Sequence, residues 1–319
     1  MKILEFVCHE GVQEMMLRQW IERGHEVYLT EAGRTWNNTY FEVPEGVIRE
    51  RPSNPDLISV GSTPDLAKAV IHKIRHFHPG IPIVMVHHWF PSEKKLAGFF
   101  YRRASNITLT SYQRQCLLDI WGVESELIYC PIDANVFRPH DTEADPKLFL
   151  AIGNGFVPRP DMGWQNLVDI MAKVYKKDPK IHFQILGINP EINPDDYPNV
   201  STLSLKPGEL PAHEAGARAI IFPTIRTLIP QSLIGAMAIE KTVVSFELDT
   251  VVDLLKDGRN GHLISCYDTD AFAEKILELS RQPEDKALGA LARKDALEKC
   301  DHRVVANQLE AIFKRLTGS

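Results

Sequence analysis

Apolar runs of four to six residues alternate with stretches of helical periodicity along most of the chain. Ile3–Cys8, Glu26–Thr30, Leu57–Val60, Ile83–His87, Ile107–Thr110 and Glu126–Tyr129 predict strands. Between them, Gln13–Arg23 sets Met15, Met16, Trp20 and Ile21 at helical spacing and stops at Gly24. Pro64–Phe77, Ser92–Arg103 and Tyr112–Trp121 predict further helices. The pattern breaks at Cys130–Pro139, rich in prolines and turn formers, and at the polar stretch His140–Lys147. Alternation then restarts. Leu148–Ile152, His182–Leu186, Val200–Leu205, Ala219–Phe222, Thr242–Phe246 and His262–Ser265 predict strands. Trp164–Lys176, Gln231–Ile239, Thr269–Arg281, Glu284–Lys299 and His302–Leu316 predict helices. This order predicts an α/β chain with two domains, 1–138 and 139–301, each a parallel sheet covered on both faces. In such sheets ligands sit beyond the carboxyl ends of the strands, near helix N-termini. Two edges facing across a cleft suit a ligand with two ends.

Composition narrows the class. Hydrophobic residues make up 44% and charged residues 24%, which excludes a disordered chain. No run of 18 apolar residues occurs, which argues against a membrane-spanning helix. The stretch Met1–Cys8 is interrupted too soon for a signal peptide and reads as a buried strand. Five cysteines at 8, 116, 130, 266 and 300, with no Cys-x-x-Cys, argue against a disulfide framework or zinc ribbon and for a reducing cytoplasm.

The net charge of −6 does not suggest a nucleic-acid partner for the whole chain, but its distribution is uneven. Residues 66–118 carry Lys68, Lys73, Arg75, Lys94, Lys95, Arg102, Arg103 and Arg114 against Glu93 alone. Lys94–Arg103 mixes these cations with Phe99, Phe100 and Tyr101. Three readings stay open: an amphipathic helix on anionic lipid, a nucleic-acid platform, or a solvated helix with its phenylalanines in the core. Acids in Glu42–Glu50 are candidates to neutralise the cations on folding.

Several segments carry a resemblance. Pro223–Val244 looks like Pro-Ser-x-x-Glu-Gly-x-Gly-x-x-x-x-Glu-Ala-Met-Ala-x-Gly-x-Pro-Val-Val. Asp253–Ile264 looks like Glu-Ile-Val-x-Asp-Gly-x-Asn-Gly-x-Leu-Val. Pro131–Pro139, Val86–Trp89 and Arg23–Val27 look like the family's linker, its Val-His-Asp and its Arg-Gly-His-Glu-Val. Together they resemble the GT-B glycosyltransferases of family 4, the "group 1" enzymes. The resemblance implies a GT-B fold of two Rossmann-like domains, with the acceptor on the first, a nucleotide-sugar on the second, and a last helix, 302–319, crossing back to the first. It implies glycosyl transfer with retention. The donor is a nucleotide-sugar, with a uridine nucleotide as one candidate, and no cofactor or metal is expected.

The chain departs from the family where the chemistry sits. Two family glutamates, separated by seven residues, fall on Thr227 and Gly235. A carboxylate can accept two ribose hydroxyls and Gly235 can accept none. The remaining acids nearby are Glu240, Glu247 and Asp249. The family's arginine–lysine pair for phosphate is absent; Asn154 sits near the arginine position and Arg159 is the one cation. Its planar fork suits a diphosphate, with a solvated surface arginine as the alternative.

Further donor-side candidates are Pro230, Gln231 and Ser232, which open a helix whose family equivalent caps the diphosphate. His87 is the catalytic candidate, with His88 second and a packed histidine as the alternative. Gly11 is a candidate phosphate or acceptor loop glycine, and Lys94, Lys95, Arg102 and Arg103 are acceptor-side candidates for a polyanionic partner, either a membrane surface or nucleic acid. The expected function is glycosyl transfer in the cytoplasm, with peripheral membrane attachment as an option. The alternatives are a glycosyltransferase acting on modified DNA bases, and an inactive relative that binds a partner or sugar.

Overall fold

In the computed structural model, which describes residues 1–31, 35–36, 40–89, 91–225 and 231–318, the two alternating stretches form two six-stranded parallel sheets. The chain divides into two units, Met1–Pro131 with Lys299–Ser319, and Ile132–Glu298.

The first unit runs β1 (Lys2–Phe6), α1 (Glu10–Glu22), β2 (Glu26–Thr30), β3 (Leu57–Val60), α2 (Thr63–His76), β4 (Ile83–Val86), α3 (Ala97–Tyr101), β5 (Ser105–Thr108), α4 (Ser111–Trp121) and β6 (Glu126–Leu127). Its sheet order is β2-β1-β3-β4-β5-β6, so the direction of winding reverses between β1 and β3. All four residues of β3 are buried, as a continuous apolar run in a doubly covered parallel sheet requires. One face carries a core in which Leu4, Phe6, Ile58 and Met85 meet Leu66 and Val70 of α2, Tyr101 of α3 and Leu117 of α4.

Two of the elements whose bounds differ from expectation do so because side chains hold the backbone. The strand expected at 107–110 lies at Ser105–Thr108, because Thr110 caps α4, its hydroxyl accepting from the Gln113 amide at 3.0 Å. The helix expected over 92–103 shrinks to Ala97–Tyr101. The backbone of Ser92 is held instead by side chains: its amide donates to the Tyr101 hydroxyl at 2.8 Å, and its carbonyl accepts from the Trp121 indole at 3.1 Å.

The second unit runs β7 (Asp145–Ile152), α5 (Trp164–Lys177), β8 (His182–Leu186), β9 (Val200–Leu203), α6 (Leu210–Ala215), β10 (Ala217–Phe222), α7 (Gln231–Ala238), β11 (Val243–Phe246), β12 (His262–Ile264), α8 (Thr269–Leu279) and α9 (Lys286–Cys300). The order β12-β11-β10-β7-β8-β9 reverses between β7 and β10. The sequence pattern did not announce α6, which has six residues and a proline in its first turn. Residues 132–138 group with this unit. Phe137 lies against Gly235, and its carbonyl accepts from Arg293 at 3.0 Å.

The last helix, α10 (His302–Thr317), is part of the first unit and packs on α1. Phe313 meets Trp20 with ring centroids 5.2 Å apart, and Glu310 accepts from Arg23 at 2.8 Å and faces His25 at 3.2 Å. The five cysteines are free thiols.

Candidate functional site

Each sheet has one point where its winding reverses. There the loops from neighbouring strands part and leave room at the carboxyl ends.

In the second unit that point lies between β7 and β10. The loop after β7 is tied to the loop after β8: Gly153 N donates to Leu186 O at 3.0 Å, Asn154 Oδ1 accepts from Ile188 N at 2.7 Å, and Asn189 bridges Gly153 O and Phe156 N at 2.8 and 2.9 Å. A side chain at Gly187, where φ is +123°, would lie 2.4 Å from Gly153 O, so only glycine lets the two loops meet. Asn154 therefore spends its carbonyl oxygen on the loop and remains exposed.

Arg159 projects from this loop, half exposed, with its Nη2 2.9 Å from Asp161 Oδ2. The next turn leads through Gly163 (φ +74°) into α5, and a Cβ there would lie 2.1 Å from Pro223 O at the end of β10. No side chain caps the α5 N-terminus. Beside it stands Thr224, 2% exposed, whose hydroxyl has no hydrogen-bond partner among the described residues. Sequence reasoning did not single out Thr224; only its burial and vacant hydroxyl mark it. Gln231 and Ser232 open α7 and are half-buried. Thr227 and Pro230 lie outside the described residues.

Gly235 is buried in α7, and a Cβ on it would lie 2.7 Å from the Phe137 ring. The space a side chain would need is filled by an aromatic ring. Of the three nearby acids, Glu240 follows the far end of α7, with φ at +65°. Glu247 and Asp249 are exposed just past the carboxyl end of β11, on the edge that holds Thr224. Asn260, in the Asp253–Ile264 segment, is fully buried and holds its own loop through Lys256 N at 2.7 Å and Leu254 O at 2.9 Å.

In the first unit the reversal lies between β1 and β3. Cys8, Gly61 and His88 follow β1, β3 and β4 and converge there: a Cβ on Gly61 would lie 2.4 Å from Cys8 Sγ and 2.7 Å from His88 Cδ2. They line a cavity of about 60 Å³, with Glu5, Gln13 and Ser59 among its polar walls. That is room for a few water molecules. Burial raises the Glu5 carboxyl pKa, opposed by hydrogen bonds from Ser59 and Gln13.

His87 does not face this cavity. Its ring is 1% exposed and packs on Tyr101, with Nε2 2.9 Å from Asn106 Oδ1. Both Asn106 amide hydrogens go to carbonyls, of Tyr101 at 2.8 Å and Ala104 at 2.9 Å, so its oxygen is the acceptor and His87 carries its proton on Nε2. Burial pushes the His87 pKa down to about 4. His88 is the histidine on the cavity wall. Burial, and then the charges of His9 and His87, push its pKa down to about 3, so at neutral pH it is an uncharged hydrogen-bonding group and a weak base.

His87→Ala is expected to cost about 2–4 kcal/mol of stability by emptying a buried site and stranding Asn106. Urea unfolding measures this, and an unshifted midpoint would show the ring to be dispensable for packing.

Gly11 lies in the first turn of α1, where a Cβ would meet the Phe41 ring at 2.9 Å. Lys94 and Lys95 are exposed in the turn before α3, and Arg102 and Arg103 are exposed after it. None of these four lines the cavity.

The second unit contains the segment, residues 146–282, that matches the family model "Glycosyl transferases group 1". A phosphatidyl-myo-inositol mannosyltransferase of Mycobacterium leprae (strain TN) is 31% identical over 87 residues, 27% of this chain and 23% of that protein. The chain therefore matches less than a quarter of that curated relative. Among solved structures, sucrose-phosphate synthase from Thermosynechococcus elongatus superposes with a TM-score of 0.79 at 15% identity, covering 99% of both chains. HepE of Anabaena, solved in complex with UDP, superposes with a TM-score of 0.77 at 14% identity, covering 99% of this chain and 100% of that one. The fold is that of the GT-B glycosyltransferases, two Rossmann-like domains.

Proposed function

We propose that this chain, a GT-B fold whose second unit carries a group 1 glycosyl transferase segment, transfers a sugar from a nucleotide-sugar to an acceptor. The observation that carries the reading is the carboxyl edge at β7 and β10. It lies inside the matched segment and gathers Arg159, the uncapped α5 N-terminus and the vacant Thr224 hydroxyl. A leaving diphosphate needs positive charge and N–H donors that are already in place. Arg159 supplies the charge once the diphosphate displaces Asp161, and the helix start supplies donors. HepE, solved with UDP, makes a uridine diphosphate the first ligand to test. Exposed Glu247 and Asp249 are the acids placed to accept ribose or sugar hydroxyls in the absence of a glutamate at Gly235. The acceptor belongs to the first unit, with His88 as the hydrogen-bonding histidine of its cavity. Transfer with retention of anomeric configuration follows the family resemblance and is read by NMR of the product.

Calorimetric titration with UDP, GDP and ADP is expected to show binding of at least one. Arg159→Ala should weaken it by about 1.5–3 kcal/mol, the value of a charge-assisted hydrogen bond. Unchanged affinity would remove Arg159 from the site, and no binding of any nucleotide would remove the donor reading.

Phe137 over Gly235 favours a second reading, a binding protein that has given up catalysis. Release of free nucleotide from a panel of nucleotide-sugars separates the two: turnover of any one excludes the inactive relative.

A further inference from the structure

We propose that the outer surface of the α2–α3 layer docks the first unit on an anionic lipid bilayer. This does not depend on the donor chemistry, and its test is read without turnover.

Helices α2 and α3 pack on each other and on the same face of the sheet. On α2, Leu66, Ala69 and Val70 are buried in the core, and Lys68, Ile71, Ile74 and Arg75 are exposed on the outer side. Ile74 is 76% exposed and Ile71 46%. In α3, Ala97 and Tyr101 are buried, while Leu96 just before it is 72% exposed and Phe99 47%. The outer face of a surface helix normally carries charged and polar side chains.

Most of the cations around these side chains have no acid against them among the described residues. Lys94, Lys95 and Arg75 have no carboxylate partner among the described residues, and no ion pair there joins the patch to Glu42, Glu45 or Glu50. Arg102 and Arg103 bond backbone carbonyls, of Trp121 and Phe99, both at 2.7 Å, which leaves their charge in place. Lys68 alone has an acid near, Asp65 at 3.9 Å. Folding therefore preserves the local excess of positive charge in a chain that is negative overall.

The chemistry of the exposed groups selects lipid over nucleic acid. Single strands stack on bare aromatic faces, and a duplex is held by cations with no use for exposed aliphatic groups. Phe99 has the Arg103 guanidinium 3.4 Å over its ring, and Phe100 is half-buried, edge-on to Phe99 and packed against the core. What stands free is aliphatic: Ile71, Ile74 and Leu96. Aliphatic side chains ringed by lysine and arginine match the boundary between acyl chains and anionic headgroups. No described helix is long and apolar enough to cross a membrane, so the contact is a surface one.

Flotation with vesicles of phosphatidylcholine containing about 30% phosphatidylglycerol tests the proposal. The full chain should float with them at about 50 mM salt, and at least about tenfold less with pure phosphatidylcholine or at about 500 mM salt. Lys94→Glu with Lys95→Glu should weaken binding about tenfold or more. Ile74→Ser with Leu96→Ser should weaken it as well, because lipid insertion needs the aliphatic groups and simple charge attraction does not. All four positions are exposed, so thermal unfolding should stay within a few degrees of wild type and serves as the folding control. Absence of binding to the anionic vesicles at low salt overturns the proposal. So does binding that neither double variant changes. Charge-dependent binding of duplex DNA without vesicle binding also overturns it and makes the patch a nucleic-acid surface.

Discussion

Glu214→Gln is expected to stabilise the chain at pH 8 by about 3–5 kcal/mol relative to its effect at pH 4. Glu214 lies in the last turn of α6 with 0% exposure, and neither carboxyl oxygen has a hydrogen-bond partner among the described residues. Burial pushes its pKa from 4.5 up to about 8. Between those values the unfolded chain has released the proton and the folded chain still holds it. The unfolded state then binds fewer protons, so stability falls as pH rises, by up to about 1.4 kcal/mol per pH unit. The stability linked to this proton is fully present below the unfolded value and gone above the folded one. Glutamine carries no such proton and removes the slope. Urea unfolding of both proteins at several pH values checks this through the difference between their curves. Parallel curves would mean that Glu214 is ionised and paired in the folded state.

Gly235→Glu, which restores the acid of the resembled motif, is expected to destabilise the chain by about 3 kcal/mol or more and to add no activity. The new Cβ would lie 2.7 Å from one carbon of the Phe137 ring and 2.9 Å from another. Real Cβ atoms do not approach so closely, so either the ring or α7 must shift. Phe137→Ala in the same chain should recover part of the loss, a coupling that a double-mutant cycle measures. A Gly235→Glu protein as stable as wild type would mean that Phe137 swings aside easily.

The strands were the most legible part of the chain, because a strand covered on both faces writes itself as a short apolar run. Glu26–Thr30, Leu57–Val60 and His182–Leu186 are strands over those same bounds. The site was legible only as a neighbourhood. His87 and His88 adjoin just past the end of β4, where the chain turns, His88 N donating to Val86 O at 3.0 Å. Sequence could name the pair, but Asn106 and Tyr101, far along the chain, take His87 inward. Gly235 read as a missing acid. That Phe137 fills the place is a contact between residues about a hundred apart, with no local signature. The Ser92–Arg103 helix failed for the same reason: tyrosine and tryptophan side chains hold backbone groups that a local pattern assigns to a helix. Glu214 gave no sign at all, since a glutamate in a polar-looking stretch reads as exposed.

The first unit begins at residue 1 but takes its last helix from residues 302–317. During synthesis the two units therefore finish in the reverse of the order in which they start. Once Pro131 has been added, Trp20 on α1 still lacks Phe313, and Arg23 and His25 lack Glu310. At about 5–20 residues per second, the ribosome needs roughly 10–30 s more to reach Lys299. For that interval the face of α1 that α10 will cover lacks its partner, and before it ends the second unit has all of its own strands. A nascent chain of this protein presents an unfinished apolar surface on its first unit until residues 302–317 have been made, and whatever shields that surface in the cell must hold on until then.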